Sequence, residues 1–157
     1  MEKALRYDVK GRRYIDTPYK YYFTDLGLRN ARINFRQFEK SHMMENVIYN
    51  ELRIRGFNVD VGVVPVTIRD LEGKQKRVSY EIDFVCNRGN QRYYIQSAYR
   101  LETEDKIRQE QNSLRNVGDS FKKIVIVGYP LLVERDNNGI TTMSIYDFLL
   151  MENSLEL

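Results

Sequence analysis

The sequence has 157 residues, 42% of them hydrophobic, and 25 Lys and Arg against 22 Asp and Glu give a formal net charge of +3. This composition predicts a folded globular chain. The sequence contains neither an apolar run long enough to cross a bilayer nor a signal-peptide pattern at its start. The single cysteine, Cys86, excludes an internal disulfide and indicates a reducing, cytoplasmic environment. Because the sequence has one Cys and one His, a zinc site built from Cys and His ligands of a single chain is also excluded.

The front of the chain is basic and aromatic. Residues 1–40 carry ten Lys and Arg against five Asp and Glu, whereas residues 101–157 carry six against ten. Such a segment can bind the phosphates of a nucleic acid, contact a protein partner, or form a solvated and packed face. The candidate contact residues are Arg12, Arg13, Lys20, Arg29, Arg32 and Arg36.

The first elements predict a small β unit followed by a helix. Strands at Ala4–Val9 and Arg12–Thr17 flank a tight turn in which Gly11 is expected to supply a positive φ. After a proline, Tyr19–Phe23 reads as a separate aromatic strand, and Leu26–Phe35 reads as a short helix followed by a loop.

A longer helix and two strands come next. Ser41 is expected to cap a helix that runs to about Arg55, with Gly56 just past its end. Strands are predicted at Phe57–Val63 and Val78–Cys86. Strict alternation in the second strand assigns one face to Val78, Tyr80, Ile82, Phe84 and Cys86, and the other to Ser79, Glu81 and Asp83.

The chain then continues with a third strand, a helix and a fourth strand. The third strand is predicted at Arg92–Tyr99, and Thr103 is expected to cap a helix that Gly118 ends. Lys122–Tyr129 reads as the fourth strand, and Ser144 can cap a short last helix. From residue 41 the order is α-β-β-β-α-β, which predicts an α/β fold with a mixed sheet. No GxxxxGK[ST] loop occurs, so this chain cannot bind ATP by that route.

The order α-β-β-β-α-β resembles the PD-(D/E)XK, or restriction-endonuclease-like, superfamily, in which acids on neighbouring strands hold a divalent metal such as Mg²⁺. The metal lets a bound water attack a phosphodiester, and a Lys two residues beyond the second acid points the same way. Glu45 matches the helix acid and Asp83 the acid of the second strand. Gln96 and Ala98 stand at the Glu and Lys positions of the third strand, so the four positions are interpreted as a vestigial site.

An alternative is a metal-dependent nuclease whose active site has migrated. Glu45 and Asp83 would then hold Mg²⁺, and Glu81, on the same predicted face as Asp83, could replace the missing ligand. Glu102 and Lys106 could instead supply an acid and a base from the start of the second helix.

A second resemblance extends over roughly residues 5–150. The chain looks very like the C-terminal domain of many uncharacterised bacterial and archaeal AAA-family ATPases. The matching segments are Tyr19–Arg32, Met44–Leu52, Arg55-Gly56, Glu81–Val85, Tyr93–Gln96 and Lys122–Ile126. This resemblance implies an N-terminal ATPase module that binds ATP, a winged-helix linker, and then a PD-(D/E)XK-like domain. Residues 1–40 would be a basic, Tyr-rich hairpin and linker segment, in which Met1–Thr17 is the last hairpin of the winged-helix linker. Residues 41–157 would be the nuclease-like domain of an excised C-terminal fragment.

The expected function is therefore that of a non-catalytic recognition or docking domain of an AAA-family ATPase. Its partners would be its own N-terminal ATPase module together with a nucleic acid or a protein, without a membrane. No cofactor is expected in this chain, since Mg²⁺ enters only with the nuclease alternative and ATP only with the N-terminal module.

Overall fold

A computed structural model describes residues 1–35 and 39–157, which form an α/β fold built on one mixed sheet. In chain order the described elements are β1 Glu2–Asp8, β2 Arg13–Tyr22, α1 Leu26–Arg32, α2 Lys40–Ile54, β3 Asn58–Arg69, β4 Gln75–Arg88, β5 Gln91–Ala98, α3 Glu104–Arg115, β6 Lys122–Val127, β7 Glu134–Arg135, β8 Ile140–Ser144 and α4 Ile145–Leu150. The predicted α/β class with a mixed sheet is confirmed, and α2 to β6 follow the predicted element order.

The sheet has the strand order β2-β1-β3-β4-β5-β6-β8-β7. The pairs β1–β3, β5–β6 and β6–β8 are parallel, and the other neighbours are antiparallel. The N-terminal hairpin thus extends the same sheet as the rest of the chain, through the β1–β3 pair. The division into two parts near residue 40 stays a prediction.

Helices cover both faces of the sheet. One face packs against α2 and α4, with a core that includes Ile48, Leu52, Phe84, Ile124 and Phe148. The opposite face packs against α3, with a core that includes Ile82, Tyr94, Leu114 and Val125. The two apolar layers bury the sheet from both sides, which is the arrangement that gives strands of this kind their stability.

Two of the three predicted helix caps are confirmed. The Thr103 side chain accepts from the backbone N–H of Lys106, and the Ser144 side chain accepts from that of Asp147. Ser41 is not a cap, because α2 already begins at Lys40. The N-cap position is taken by Glu39, whose side chain makes no capping hydrogen bond, so the capping preference of serine placed the start of α2 two residues too late.

The turn of the N-terminal hairpin differs from the prediction in its backbone. Arg12 adopts the positive φ, at 52°, and Gly11 does not. The Asp8 carboxylate accepts from the backbone N–H of Lys10 at 3.1 Å and of Gly11 at 2.8 Å. A Cβ at position 11 would lie 2.4 Å from Asp8 Oδ2, so glycine is needed there for this close approach rather than for its φ.

The strand predicted at Tyr19–Phe23 is confirmed over Tyr19–Tyr22, but it is not separate, because β2 continues across Pro18. In the pairing with β1, Ile15 lies opposite Arg6 and Lys20 lies opposite Ala4. The residues of β2 between Ile15 and Lys20 therefore have too few partners on β1, and they form a bulge. A proline in a bulge on an edge strand removes no ladder hydrogen bond, which is why it does not end the strand.

A second bulge interrupts β4 and overturns the predicted alternation of its faces. The register shifts beside Gly62, where Asp83 and Phe84 together occupy the space opposite one residue of β3. Ile82 consequently packs on the α3 face and Phe84 on the α2 face, although they were expected to share one face.

Arg55, just past the end of α2, fastens the C-terminal segment to this helix. Its guanidinium pairs with Glu51 Oε1 at 2.7 Å, donates to Ser154 Oγ at 2.9 Å and to the carbonyl of Phe148, and lies 4.6 Å from the centre of the Phe148 ring. A planar group with five donors makes these contacts together, whereas an ammonium cannot.

We therefore expect Arg55→Lys to lower the free energy of unfolding by about 2 kcal/mol, since several charge-assisted hydrogen bonds are lost. Urea denaturation followed by circular dichroism measures the change. Arg69→Lys, at an exposed position of β3, is the matched control and should change little. Equal stability of the two variants would contradict this role of Arg55.

Candidate functional site

The structure brings Glu45 and Asp83 together around a lysine. Lys20, from β2, places its Nζ 2.9 Å from Glu45 Oε1 of α2 and 3.4 Å from Asp83 Oδ1 of β4. The same ammonium lies 2.7 Å from Oε1 of Glu81. We call Glu45, Glu81 and Asp83 the acidic cluster, and Lys20 is the cation at its centre.

Each carboxylate of the acidic cluster also has a second donor. Tyr22 Oη donates to Glu45 Oε1 at 2.7 Å, Arg6 Nη1 lies 2.8 Å from Glu81 Oε2, and the backbone N–H of Ser97 donates to Asp83 Oδ2 at 2.9 Å. Five structural segments thus meet at this point. Three acids thus share two cations and the hydroxyl and backbone donors around them.

Burial dominates the electrostatics of the acidic cluster. The Asp83 side chain is only 11% exposed. Burial and the neighbouring Glu45 carboxylate raise the pKa of Asp83 to about 7, although Lys20 and the Ser97 N–H act against this rise. Burial opposes the charge of Lys20, but the carboxylates of Asp83 and Glu45 outweigh it, so the Lys20 pKa lies above its ordinary value. Burial and Glu45 likewise raise the pKa of Tyr22.

Gln96 and Ala98 do not face the acidic cluster. The Gln96 amide contacts two α3 side chains, Glu110 and Ser113, each at 3.5 Å, and accepts from the Asp83 backbone N–H at 3.3 Å. Ala98 is buried in the core on the α3 face. The predicted convergence of position 96 with the Asp83 carboxylate is therefore not found.

The bulge in β4 explains this divergence. Phe84 pairs with Ile95 and both pack on the α2 face, while the next pair, Val85 and Tyr94, packs on the α3 face. In a regular ladder Asp83 would follow the alternation and face α3. The extra residue turns its side chain to the α2 side instead.

The basic residues proposed as contacts do not form one surface. Arg12 and Arg13 are exposed at the β1–β2 turn, beyond the far end of β1 from the acidic cluster. Arg32 is exposed at the end of α1. Arg36 lies outside the described residues. Lys20 is enclosed by carboxylates, so it cannot serve as a phosphate contact in this arrangement.

Arg29 is the basic candidate that lies beside the acidic cluster. It lines a cavity of about 320 Å³ together with Lys20, His42, Glu45 and Asn46. Glu45 is the acid of the cluster that this cavity reaches.

Glu102 and Lys106 lie apart from the acidic cluster. Glu102 pairs with Arg100 at 3.2 Å, and Lys106 pairs with Glu110 at 2.9 Å on α3. Neither residue contacts Glu45, Glu81 or Asp83 in the part of the chain that the structure describes. A migrated acid and base from the start of α3 therefore have no geometric support.

The oxygens around Lys20 are the ones that a divalent metal would need as ligands. Within residues 1–35 and 39–157, no group of three or more His, Cys, Asp or Glu side chains is arranged to hold a metal ion. The three acids of the cluster each direct an oxygen to the Lys20 ammonium, so this arrangement does not match the open set of ligands that Mg²⁺ requires.

Among the described helices, none combines the length and apolar character of a membrane span.

The fold and site thus define an α/β protein with a lysine-centred acidic cluster. No family model matches the sequence, and no solved structure matches it. An uncharacterised protein of Haemophilus influenzae is 31% identical over 148 residues, which are 94% of this chain and 33% of that protein. The chain therefore spans about a third of the length of this relative.

Proposed function

We propose that this chain is a non-catalytic recognition and docking domain, of PD-(D/E)XK-like descent, that belongs to an AAA-family ATPase. One observation carries the non-catalytic part of the proposal. Lys20 Nζ is bonded to Glu45, Glu81 and Asp83, and so occupies the place between the carboxylates at which a nuclease would need its metal.

The chemistry of the neighbouring strand supports the same conclusion. A phosphodiester-cleaving site needs a cation that activates water and a group that orients this water. At the level of Asp83, β5 contributes a backbone N–H from Ser97, and its Gln96 side chain lies toward α3. Ala98 has no titratable group. The acidic cluster therefore serves as an internal ion-pair network that joins the hairpin to the rest of the sheet.

The ATPase part of the proposal is supported by the sequence segments that resemble the C-terminal domains of AAA-family proteins. The order from α2 to β6 agrees with a PD-(D/E)XK-like core. A Haemophilus relative in which the matching region is 33% of the length is compatible with a domain of a larger protein. In such a protein, this domain would bind a nucleic acid or a protein partner and couple that binding to ATP turnover by the N-terminal module.

A nuclease assay tests the absence of catalysis. The full chain is incubated with plasmid and single-stranded DNA in Mg²⁺ or Mn²⁺ and compared with Asp83→Ala. We expect equal, background cleavage from both proteins, because Lys20 holds the carboxylate oxygens. Metal-dependent cleavage by the wild type that disappears in Asp83→Ala would overturn the proposal, and circular dichroism of the variant checks its folding.

A second candidate function is a metal-dependent nuclease with a migrated site. The observation that favours it is the position of Glu81, which adds a third carboxylate to Glu45 and Asp83. Lys20 would have to leave the centre of the cluster before Mg²⁺ could bind there. This candidate predicts Mn²⁺ binding by calorimetry that is lost in both Glu45→Gln and Asp83→Ala, whereas heat signals that are the same in all three proteins would exclude it.

A further inference from the structure

A second cavity lies at the end of the sheet, far from the acidic cluster. It has a volume of about 670 Å³ and is formed by the β1–β2 turn, the β4–β5 turn and the loop between α3 and β6. Lys20 pairs with Ala4 near the start of β1, whereas Arg12 follows the end of that strand. We call this cavity the sheet-end cavity, and the side chains used below are Tyr7, Lys10, Arg12, Arg92, Asp119 and Phe121.

Arg92 is the central cation of the sheet-end cavity. Its guanidinium lies 5.6 Å from the ring centre of Tyr7 and 5.5 Å from that of Phe121. Its Nε donates to Asn87 Oδ1 at 2.7 Å, which fixes the orientation of the group. Within the described residues no carboxylate lies at ion-pair distance from Arg92. The structure thus supplies a positioned guanidinium that has no direct carboxylate ion pair among the described residues, with Asp60 as the nearby acid that feels its charge.

The remaining charges make the sheet-end cavity attractive for an anion. Lys10 and Arg12 are exposed on its rim. Its acid, Asp119, accepts from Tyr94 Oη at 2.6 Å and from the backbone N–H of Phe121 at 3.2 Å, so both of its oxygens are engaged in the wall. Three cations therefore face one internally bonded carboxylate.

The aromatic groups restrict the kind of anion. Phe121 is 41% exposed, and its ring borders the same cavity as the Arg92 guanidinium. A Cβ placed on Gly89 or on Gly118 would meet no atom within 4 Å, so this side of the cavity is open. A flat base can stack on an exposed ring while an attached phosphate accepts from arginine, and the volume is in the range of small-molecule sites.

We infer that the sheet-end cavity binds a nucleotide unit, with the phosphate held by Arg92, Arg12 and Lys10 and the base stacked on Phe121. The inference rests on the proposed recognition role and deepens it by naming the ligand class. The nucleotide can belong to a single-stranded nucleic acid or be free in solution, and the two sources share this chemistry. The acidic cluster has no part in it.

Fluorescence anisotropy of the full chain tests the inference, with a labelled single-stranded oligonucleotide at about 50 mM NaCl. We expect the wild type to bind and Arg92→Gln to weaken the affinity about tenfold or more, because a charge-assisted contact is removed. Arg12→Gln should also weaken binding. Because Arg12 is an exposed turn residue, this variant should fold even if Arg92→Gln does not, and it then provides the test. Arg108→Gln, exposed on α3, is the matched control.

Competition distinguishes the two sources. Displacement of the oligonucleotide by AMP supports a free nucleotide, and binding of the oligonucleotide that AMP does not displace supports a strand. Equal displacement by AMP and inorganic phosphate would overturn the stacking of the base. Absence of wild-type binding to both the oligonucleotide and labelled AMP, or wild-type affinity in both Arg92→Gln and Arg12→Gln, would overturn the inference and leave the result of the Asp83→Ala nuclease assay untouched.

Discussion

Lys20→Met should lower the free energy of unfolding by about 3–5 kcal/mol near pH 8, as expected when one partner of a buried ion-pair network is removed. Methionine retains an unbranched apolar stem of similar length, so the change removes mainly the charge. Three carboxylates would then share the site with Arg6 as the remaining cation, and Asp83 is almost fully buried among them. Urea denaturation measures the loss.

Two further proteins separate the charge effect from a general effect of substitution. Lys76→Met replaces an exposed lysine of β4 and should change the free energy of unfolding little. The double variant Lys20→Met/Asp83→Asn should regain part of the stability lost in Lys20→Met, because one of the repelling charges is gone. Strictly additive effects, or a loss as small as that of Lys76→Met, would contradict the role of Lys20.

Asp83→Asn should be more stable than the wild type near pH 8.5, and this difference should shrink toward pH 4. The pKa of Asp83 is raised from 3.8 to about 7, so the folded state binds more protons than the unfolded state between these values. The stability linked to this proton is present below pH 4 and is lost as the pH rises through about 7. Asparagine has no such proton to lose.

The measurement is a set of urea midpoints across this pH range for both proteins. Groups far from Asp83 contribute equally in both proteins, so they cancel in the difference between them. Asp16→Asn, at an exposed position of β2, is the matched control and should leave the pH profile nearly parallel to that of the wild type. A constant difference between wild type and Asp83→Asn from pH 4 to 8.5 would contradict the raised pKa.

The sequence allowed the local features of the fold to be predicted. The caps Thr103 and Ser144 lie next to the helices that they begin, and Gly56 adopts the expected positive φ of 82°. Such features depend on residues within one turn of each other, so a pattern along the chain can reveal them. The order of helices and strands from α2 to β6 follows from the same short-range information.

The bulge in β4 could not be predicted, because it leaves no mark in the hydrophobic pattern. Ile82 and Phe84 are both apolar and both buried, but they pack on opposite faces. Alternation of apolar residues looks the same whether they share one core or fill two. The face of Asp83, and hence its separation from Gln96, depends on the pairing with β3 at Gly62.

The position of Lys20 at the centre of the acidic cluster could not be predicted from the sequence either. A period of two places Lys20 and Tyr22 on one side of β2, but nothing local indicates that this side faces Glu45. The hairpin reaches that position because β1 pairs in parallel with β3, a contact between residues far apart in the chain. Lys20, proposed as a phosphate contact, is therefore the counter-ion of the acidic cluster, and this role depends on tertiary strand pairing rather than on local propensity.

The irregular course of β2 disfavours the pairing of its free edge with a foreign strand. β2 lies at one end of the sheet, so one of its sides has no neighbouring strand among the described residues. Pro18 and the bulge around it divide this side into two short stretches, and a foreign strand cannot pair continuously along them. A straight β2, rich in tyrosine, would present a ready template for intermolecular sheets. The same proline that suggested a strand boundary thus interrupts the free edge at which another strand could pair.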